Sequence, residues 1–188
     1  MLSRFLRLTI LLSTLISIAA CENYGGSRKT DDAANEATPA AATQFFIVEE
    51  EGRLYKFDDM ATFRSFQQVG ETTFRLTRIG AGPKGETIVY GLPKAQKKLG
   101  ADASVVKIDE GRQAIEGDFY GELHRHGRIY VFDKFEDIAP VLQLGHPSYM
   151  FTQIGYGPKG ETVVFVLRKE NKKKQPTALI EAFDKVNS

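Results

Sequence analysis

Apolar and polar positions alternate and cluster in one order, and that order occurs twice. Phe45-Phe46-Ile47-Val48 predicts a first strand, a tight turn falls at Glu51-Gly52, and Arg53 to Phe57 predicts a second strand rich in aromatic residues. Helical spacing follows. A start at Thr62 puts Phe63, Phe66 and Val69 on one stripe, closed by Gly70. Phe74 to Ile79 and Glu86 to Leu92 predict two more strands, the second apolar enough to be buried on both faces. The second round gives strands at Phe119 to Leu123 and Arg128 to Phe132, turned at His126-Gly127. Its helix starts at Asp137, which keeps Pro140 in the first turn, where its missing N–H costs nothing. Ile138, Val141, Leu142 and Leu144 form its stripe and Gly145 its stop, and strands follow at Tyr149 to Ile154 and Glu161 to Leu167. A last helix, Thr177 to Val186, carries Leu179, Ile180 and Phe183 on one face.

The two rounds align at an offset of 75, without a gap, from Gly52–Lys94 onto Gly127–Lys169. A period this long exceeds that of solenoid repeats. The pattern predicts an α+β fold made by tandem duplication of a ββαββ unit. Its antiparallel sheet would carry helices on one face, with a C-terminal helix added. The domain would span residues 44–188, with halves of about 44–117 and 118–188.

The most repeated stretch is IGAGPKGETIVYGL at Ile79–Leu92 against IGYGPKGETVVFVL at Ile154–Leu167. It contains glycines and a lysine, as phosphate-binding loops do. Such a loop needs Gly-Lys-Ser/Thr running into a helix, whereas here lysine precedes glycine, glutamate follows and a strand comes next. Gly-Pro-Lys-Gly is turn chemistry.

Before the domain, the chain begins with Met1, Arg4 and Arg7, an apolar run from Leu8 to Ile18, then Ala19-Ala20-Cys21. That is the layout of a secretory signal, too short to span a bilayer. Ile18-Ala19-Ala20-Cys21 resembles the lipobox of bacterial lipoproteins. The resemblance implies that residues 1–20 are removed and that Cys21 receives diacylglycerol and an amino-terminal acyl chain such as palmitate. It further implies a lipid-anchored protein of the bacterial envelope, at the outer membrane facing the periplasm or the cell surface. Residues 21–43, rich in Ala, Thr, Gly and charge, then read as a flexible tether.

Charge and cysteine narrow the chemistry. Losing Arg4 and Arg7 lowers the 25 basic residues to 23 against 24 acids, a net charge of −1, so nucleic acid is not an expected partner. Cys21 is the only cysteine, so the fold has no disulfide. No cofactor is expected.

Candidate sites are few. His124 and His126 lie two apart on a predicted strand, and so on one face, where His146, Glu122 or Asp118 could add a third metal ligand. The first half has Glu49 and Glu51 at the matching positions, and solvated polar residues beside a hairpin are the plainer reading. His146, matched by Glu71, is read as exposed. Arg53/Arg128, Asp58/Asp133 and Glu86/Glu161 recur in both halves and read as strand-end, helix-start and turn residues. Arg168, Lys169, Lys172, Lys173 and Lys174 form a basic run, echoed by Lys94 to Lys98, able to touch anionic headgroups or an acidic partner. The expected function is a non-enzymatic binding or structural module for an envelope protein or polymer. The alternatives are a small-ligand or metal-binding lipoprotein using the His124/His126 face, or a carboxylate-based hydrolase.

Overall fold

The structure, a computed structural model, describes residues 42–188. Signal, lipobox and Cys21, and all of the predicted tether except its last two residues, lie outside the described residues. Thr43, placed in the tether from sequence, already belongs to a strand.

The strands are β1 (Thr43–Glu50), β2 (Arg53–Phe57), β3 (Arg75–Arg78), β4 (Thr87–Gly91), β5 (Phe119–Arg125), β6 (Arg128–Phe132), β7 (Tyr149–Gln153) and β8 (Thr162–Leu167). The helices are α1 (Met60–Val69), α2 (Ser104–Asp109), α3 (Ile138–Leu144) and α4 (Thr177–Asn187). All eight strands form one sheet in the order β3-β4-β2-β1-β5-β6-β8-β7. The fold is α+β.

The sheet is mixed, not antiparallel. The β1·β2, β5·β6, β3·β4 and β7·β8 pairs are antiparallel, whereas β2·β4, β6·β8 and the central β1·β5 are parallel. Parallel pairing suits the unbroken apolar runs of β4 and β8, since strands covered on both faces need no polar alternation. Within each half the registers agree at the offset of 75. Arg53 faces Thr87 as Arg128 faces Thr162, and Arg75 faces Gly91 as Met150 faces Val166.

At the centre the register departs from that offset by one. Thr43 pairs with Phe119, a separation of 76. Side chains alternate along a strand, so a one-residue shift sends matched residues to opposite faces. Leu54, Ile88 and Tyr90 belong to one core, their counterparts Ile129, Val163 and Phe165 to the other. The helices follow. Phe63 and Phe66 of α1 and Leu179 and Phe183 of α4 cover one face, while Val105 and Ile108 of α2 and Ile138 and Val141 of α3 cover the other. Helices therefore lie on both faces, one from each half per face, and not on a single face as the sequence suggested.

Helix α1 starts at Met60 and not Thr62. Asp59 is its N-cap, its carboxylate accepting from the Thr62 N–H at 2.7 Å and hydroxyl at 2.6 Å. Pro140 does fall in the first turn of α3. Val69 and Leu144 are not core residues, being 72% and 65% exposed. Each lies six residues beyond the first buried residue of its helix, about 120° around the axis at 3.6 residues per turn.

Strand directions give the sheet two unlike ends. At one lie the β1–β2 and β5–β6 hairpins and the β3–β4 and β7–β8 loops. At the other, β1 begins at Thr43, and the chain leaves β4 and β8 toward Lys94–Gln96 and Lys169–Lys174.

Candidate functional site

The loops at the hairpin end are built alike. In residues 79–86 the Gly85 N–H donates to the Gly82 carbonyl at 3.0 Å, and the Gly82 N–H to the Glu86 carbonyl at 2.9 Å. The Glu86 carboxylate accepts from the Lys84 N–H at 2.7 Å. Residues 154–161 repeat this: Gly160 to Gly157 at 2.9 Å, Gly157 to Glu161 at 3.0 Å, and Lys159 to the Glu161 carboxylate at 2.7 Å. Gly80 and Gly155 sit at φ of 67° and 72°, where a side chain is strained. So the paired glutamates are turn braces, and the loops hold their shape by internal bonds. What each displays is an isoleucine: Ile79 is 89% and Ile154 90% exposed. In the second loop Tyr156 stacks on Phe183 and donates to Asp184 at 2.7 Å, bracing the loop against α4.

The other repeated charges have separate employments. Asp58 does not cap α1; with Gln96 it holds Ser104 at the start of α2, accepting from the Ser104 hydroxyl. Asp133 does not cap α3; with Asp137 it clamps Arg168, whose guanidinium donates to Asp133 at 2.6 and 2.9 Å and to Asp137 at 2.6 Å. Arg168, read from sequence as part of an exposed basic patch, is therefore half-buried and paired, while Lys169, Lys173 and Lys174 remain exposed. Lys172 lies over the Tyr149 ring at 4.3 Å, matched by Lys97 over Phe74 at 5.2 Å.

Burial pushes the Asp58 carboxyl above its ordinary range, more strongly than its bond from Ser104 and its own backbone bond pull it down. A carboxyl raised by folding resists ionisation, so the fold loses stability as pH rises through the shifted value. Asp58→Asn keeps an acceptor for Ser104 and removes the charge. Urea titrations should find this variant more stable than wild type at neutral pH, the difference vanishing in acid, where both side chains are neutral.

Sequence reasoning named Glu122 only as a possible third metal ligand and did not foresee that it is the most buried charge among the described residues. Glu122, in the central strand β5, has no exposed surface. Its carboxylate accepts from the Tyr120 hydroxyl, bonds His124 Nε2 at 2.6 Å, and accepts from Asn187 Nδ2 of α4 at 2.8 Å. Burial tends to raise its pKa, but these bonds and the His124 charge when protonated outweigh it and hold the carboxyl below its ordinary value. Burial, then the Glu122 charge, pushes the Tyr120 phenol up, keeping it a donor. The i, i+2, i+4 spacing of Tyr120, Glu122 and His124 was visible as a signal for one face. Its first-half counterparts are Phe45, Ile47 and Glu49, so the alignment gave no hint of the cluster. On the opposite face Lys56 Nζ and the Tyr90 hydroxyl both bond Asp109 of α2, each at 2.6 Å.

His124 and His126 do not share a face. His124 is half-buried beside Glu122 and meets Phe63 edge-on at 5.3 Å. His126, exposed at the turn with φ 49°, approaches Glu49 at 3.7 Å, and Glu49 also pairs with Arg125 at 2.9 Å. His146 is exposed and contacts the adjacent Pro147 carbonyl. Among the described residues no three His, Cys, Asp or Glu side chains are gathered as a metal would require. Glu122 has its donors supplied from within the core, so its arrangement holds α4 to the sheet.

Comparison of the chain with family models, with curated proteins and with solved structures finds no match to any of them.

Proposed function

We propose that this chain is an envelope lipoprotein, anchored through Cys21, whose domain is a non-enzymatic module binding another envelope protein. The lipid anchor rests on the lipobox resemblance. The observation carrying the binding reading is the pair of loops described above: two internally braced copies of Ile-Gly-x-Gly-Pro-Lys-Gly-Glu, each presenting an isoleucine about 90% exposed at the same end of the sheet. An aliphatic side chain held in water by a rigid loop contributes nothing to the fold and gains free energy only when a partner covers it. Aliphatic tips offer no hydrogen bonds to a sugar polymer, which favours a protein. Six strand spacings separate the loops, roughly 29 Å, so one partner able to reach both would gain from bivalency. Duplication of the ββαββ unit supplies the two copies on this reading.

The test uses the lipidated protein cross-linked in intact envelopes and captured for mass spectrometry. Wild type should retain a discrete protein partner. Ile79→Ser with Ile154→Ser should lose it while stability stays within about 0.5 kcal/mol, since neither side chain is packed. Equal recovery by both proteins would refute the reading. Acylation is checked separately, by palmitate incorporation that Cys21→Ala abolishes.

A further inference from the structure

The end opposite the isoleucine loops combines two features. The chain joins the domain there at Thr43, the first residue of the central strand β1. On either side of that point, basic segments follow β4 and β8, Lys94–Lys98 and Lys169–Lys174. Strands β4 and β8 stand five spacings apart, about 24 Å, with β1 between them. Lys94, Lys98, Lys169, Lys173 and Lys174 are exposed and enter none of the ion pairs among the described residues. The acids that could cancel them are partly engaged: Asp133 and Asp137 hold Arg168, Asp102 pairs with Arg112, Asp59 caps α1 and Asp58 accepts from Ser104, leaving Glu116, Asp118, Glu136 and Glu170 against the lysines. In both halves one lysine of the segment lies over an aromatic ring, Lys97 on Phe74 and Lys172 on Tyr149, so the two segments leave the sheet in matching positions. The opposite end carries charges of both signs, with Arg125 paired to Glu49 and with Lys84 and Lys159 in the same loops as Glu86 and Glu161.

We infer that these two basic segments form one bipartite surface for anionic phospholipid headgroups, seating the domain on the membrane that holds its lipid and turning the Ile79 and Ile154 loops away from it. The inference rests on the lipid-anchor reading for its orientation, and on charge complementarity and the position of Thr43 for its partner. If residues 21–43 form the flexible tether that their composition predicts, a chain of about 20 residues has a mean reach of roughly 25 Å, which keeps Thr43 and the flanking lysines within a short distance of an anchored surface. Lysines near an anionic surface each strengthen binding about fivefold, and one segment alone would bind weakly.

The test uses the mature chain from residue 21 with Cys21→Ser, which retains every core residue from Phe45 to Phe183 and removes the acyl chains. It is sedimented with vesicles of phosphatidylcholine, with and without phosphatidylglycerol. Binding should require phosphatidylglycerol and weaken as salt rises. Lys169→Gln/Lys173→Gln/Lys174→Gln should weaken it roughly 100-fold and Lys94→Gln/Lys98→Gln roughly 25-fold, at about fivefold per lysine. Equal sedimentation with both vesicles, or binding unchanged in both lysine variants, overturns the inference. Binding lost in Ile79→Ser/Ile154→Ser but kept in the lysine variants overturns it too, because the other end would then face the lipid. Palmitate labelling of the native protein is an independent readout. Labelled protein whose soluble form ignores anionic vesicles defeats this inference and leaves the anchor standing. Unlabelled protein whose soluble form binds them defeats the anchor and leaves the surface.

Discussion

Glu122→Ala should cost about 3–5 kcal/mol of stability, a large share of the roughly 5–15 kcal/mol that holds a domain of this size. The substitution removes the acceptor of Tyr120, His124 and Asn187 together and leaves a hollow between β5 and α4. The buried Tyr120 hydroxyl, left without its acceptor, loses the solvation it gave up on folding, while Asn187 keeps its bond to the Phe183 carbonyl but no longer ties α4 to β5. Glu122→Gln is the control: it fills the space but presents an amide N–H where donors already point. The pH dependence separates charge from packing. Folding holds this carboxyl below its ordinary 4.5, so its stabilisation is complete above that value and is lost as pH falls through the lower folded value. Wild type should therefore lose stability below about pH 4.5, and Glu122→Gln should lose less over the same range. A loss under about 1 kcal/mol for Glu122→Ala in equilibrium urea unfolding would mean that the cluster does not secure α4.

Phe63→Ala should cost about 3–5 kcal/mol. The Phe63 ring stacks on Phe46 at 4.4 Å, tilts against Phe57 at 5.7 Å and meets His124 edge-on at 5.3 Å, so its loss opens a cavity where α1 crosses the sheet. Its counterpart Ile138 lies on the opposite face, in the other core. Ile138→Val, costing about 0.5–1.5 kcal/mol alone, should therefore add to Phe63→Ala within about 0.5 kcal/mol. A coupling beyond about 1 kcal/mol would place the two helices on one face, as the sequence alone suggested. Val69→Ser and Leu144→Ser should each stay within about 0.5 kcal/mol of wild type.

Much of the fold was legible because its turns are chemically explicit. Glu51-Gly52, His126-Gly127 and the two Gly-Pro-Lys-Gly turns break the chain where the structure breaks it, and Gly70 and Gly145 end α1 and α3 in the left-handed conformation. The two-faced arrangement was hidden in a single residue of register. Phe46 opposite Glu122, in place of Phe46 opposite Gly121, moves one half's pattern to the other face, and nothing within β1 or β5 announces which alignment wins. The parallel pairs were more accessible: continuous apolar strands such as Thr162–Leu167 are typical of parallel neighbours covered on both sides. Helix α2 escaped notice because its six residues are too few to show a period. At the candidate site, the repeated loops were legible as turns, and their display of Ile79 and Ile154 was not. Both isoleucines end apolar strand patterns and read as strand residues until the sheet shows them beyond its edge. The Glu122 cluster has no counterpart in the first half, so self-comparison passed over it.

We propose that the domain has two ends with different partners, a protein at the isoleucine loops and lipid at the lysines. Photo-reactive residues placed singly at positions 79, 154 and 173 of the lipidated protein, and irradiated in intact envelopes, test it directly. Positions 79 and 154 should each give a discrete protein adduct, the same partner at both, and position 173 should give lipid adducts. Lipid adducts at 79 and 154, or a protein adduct confined to 173, would contradict the account.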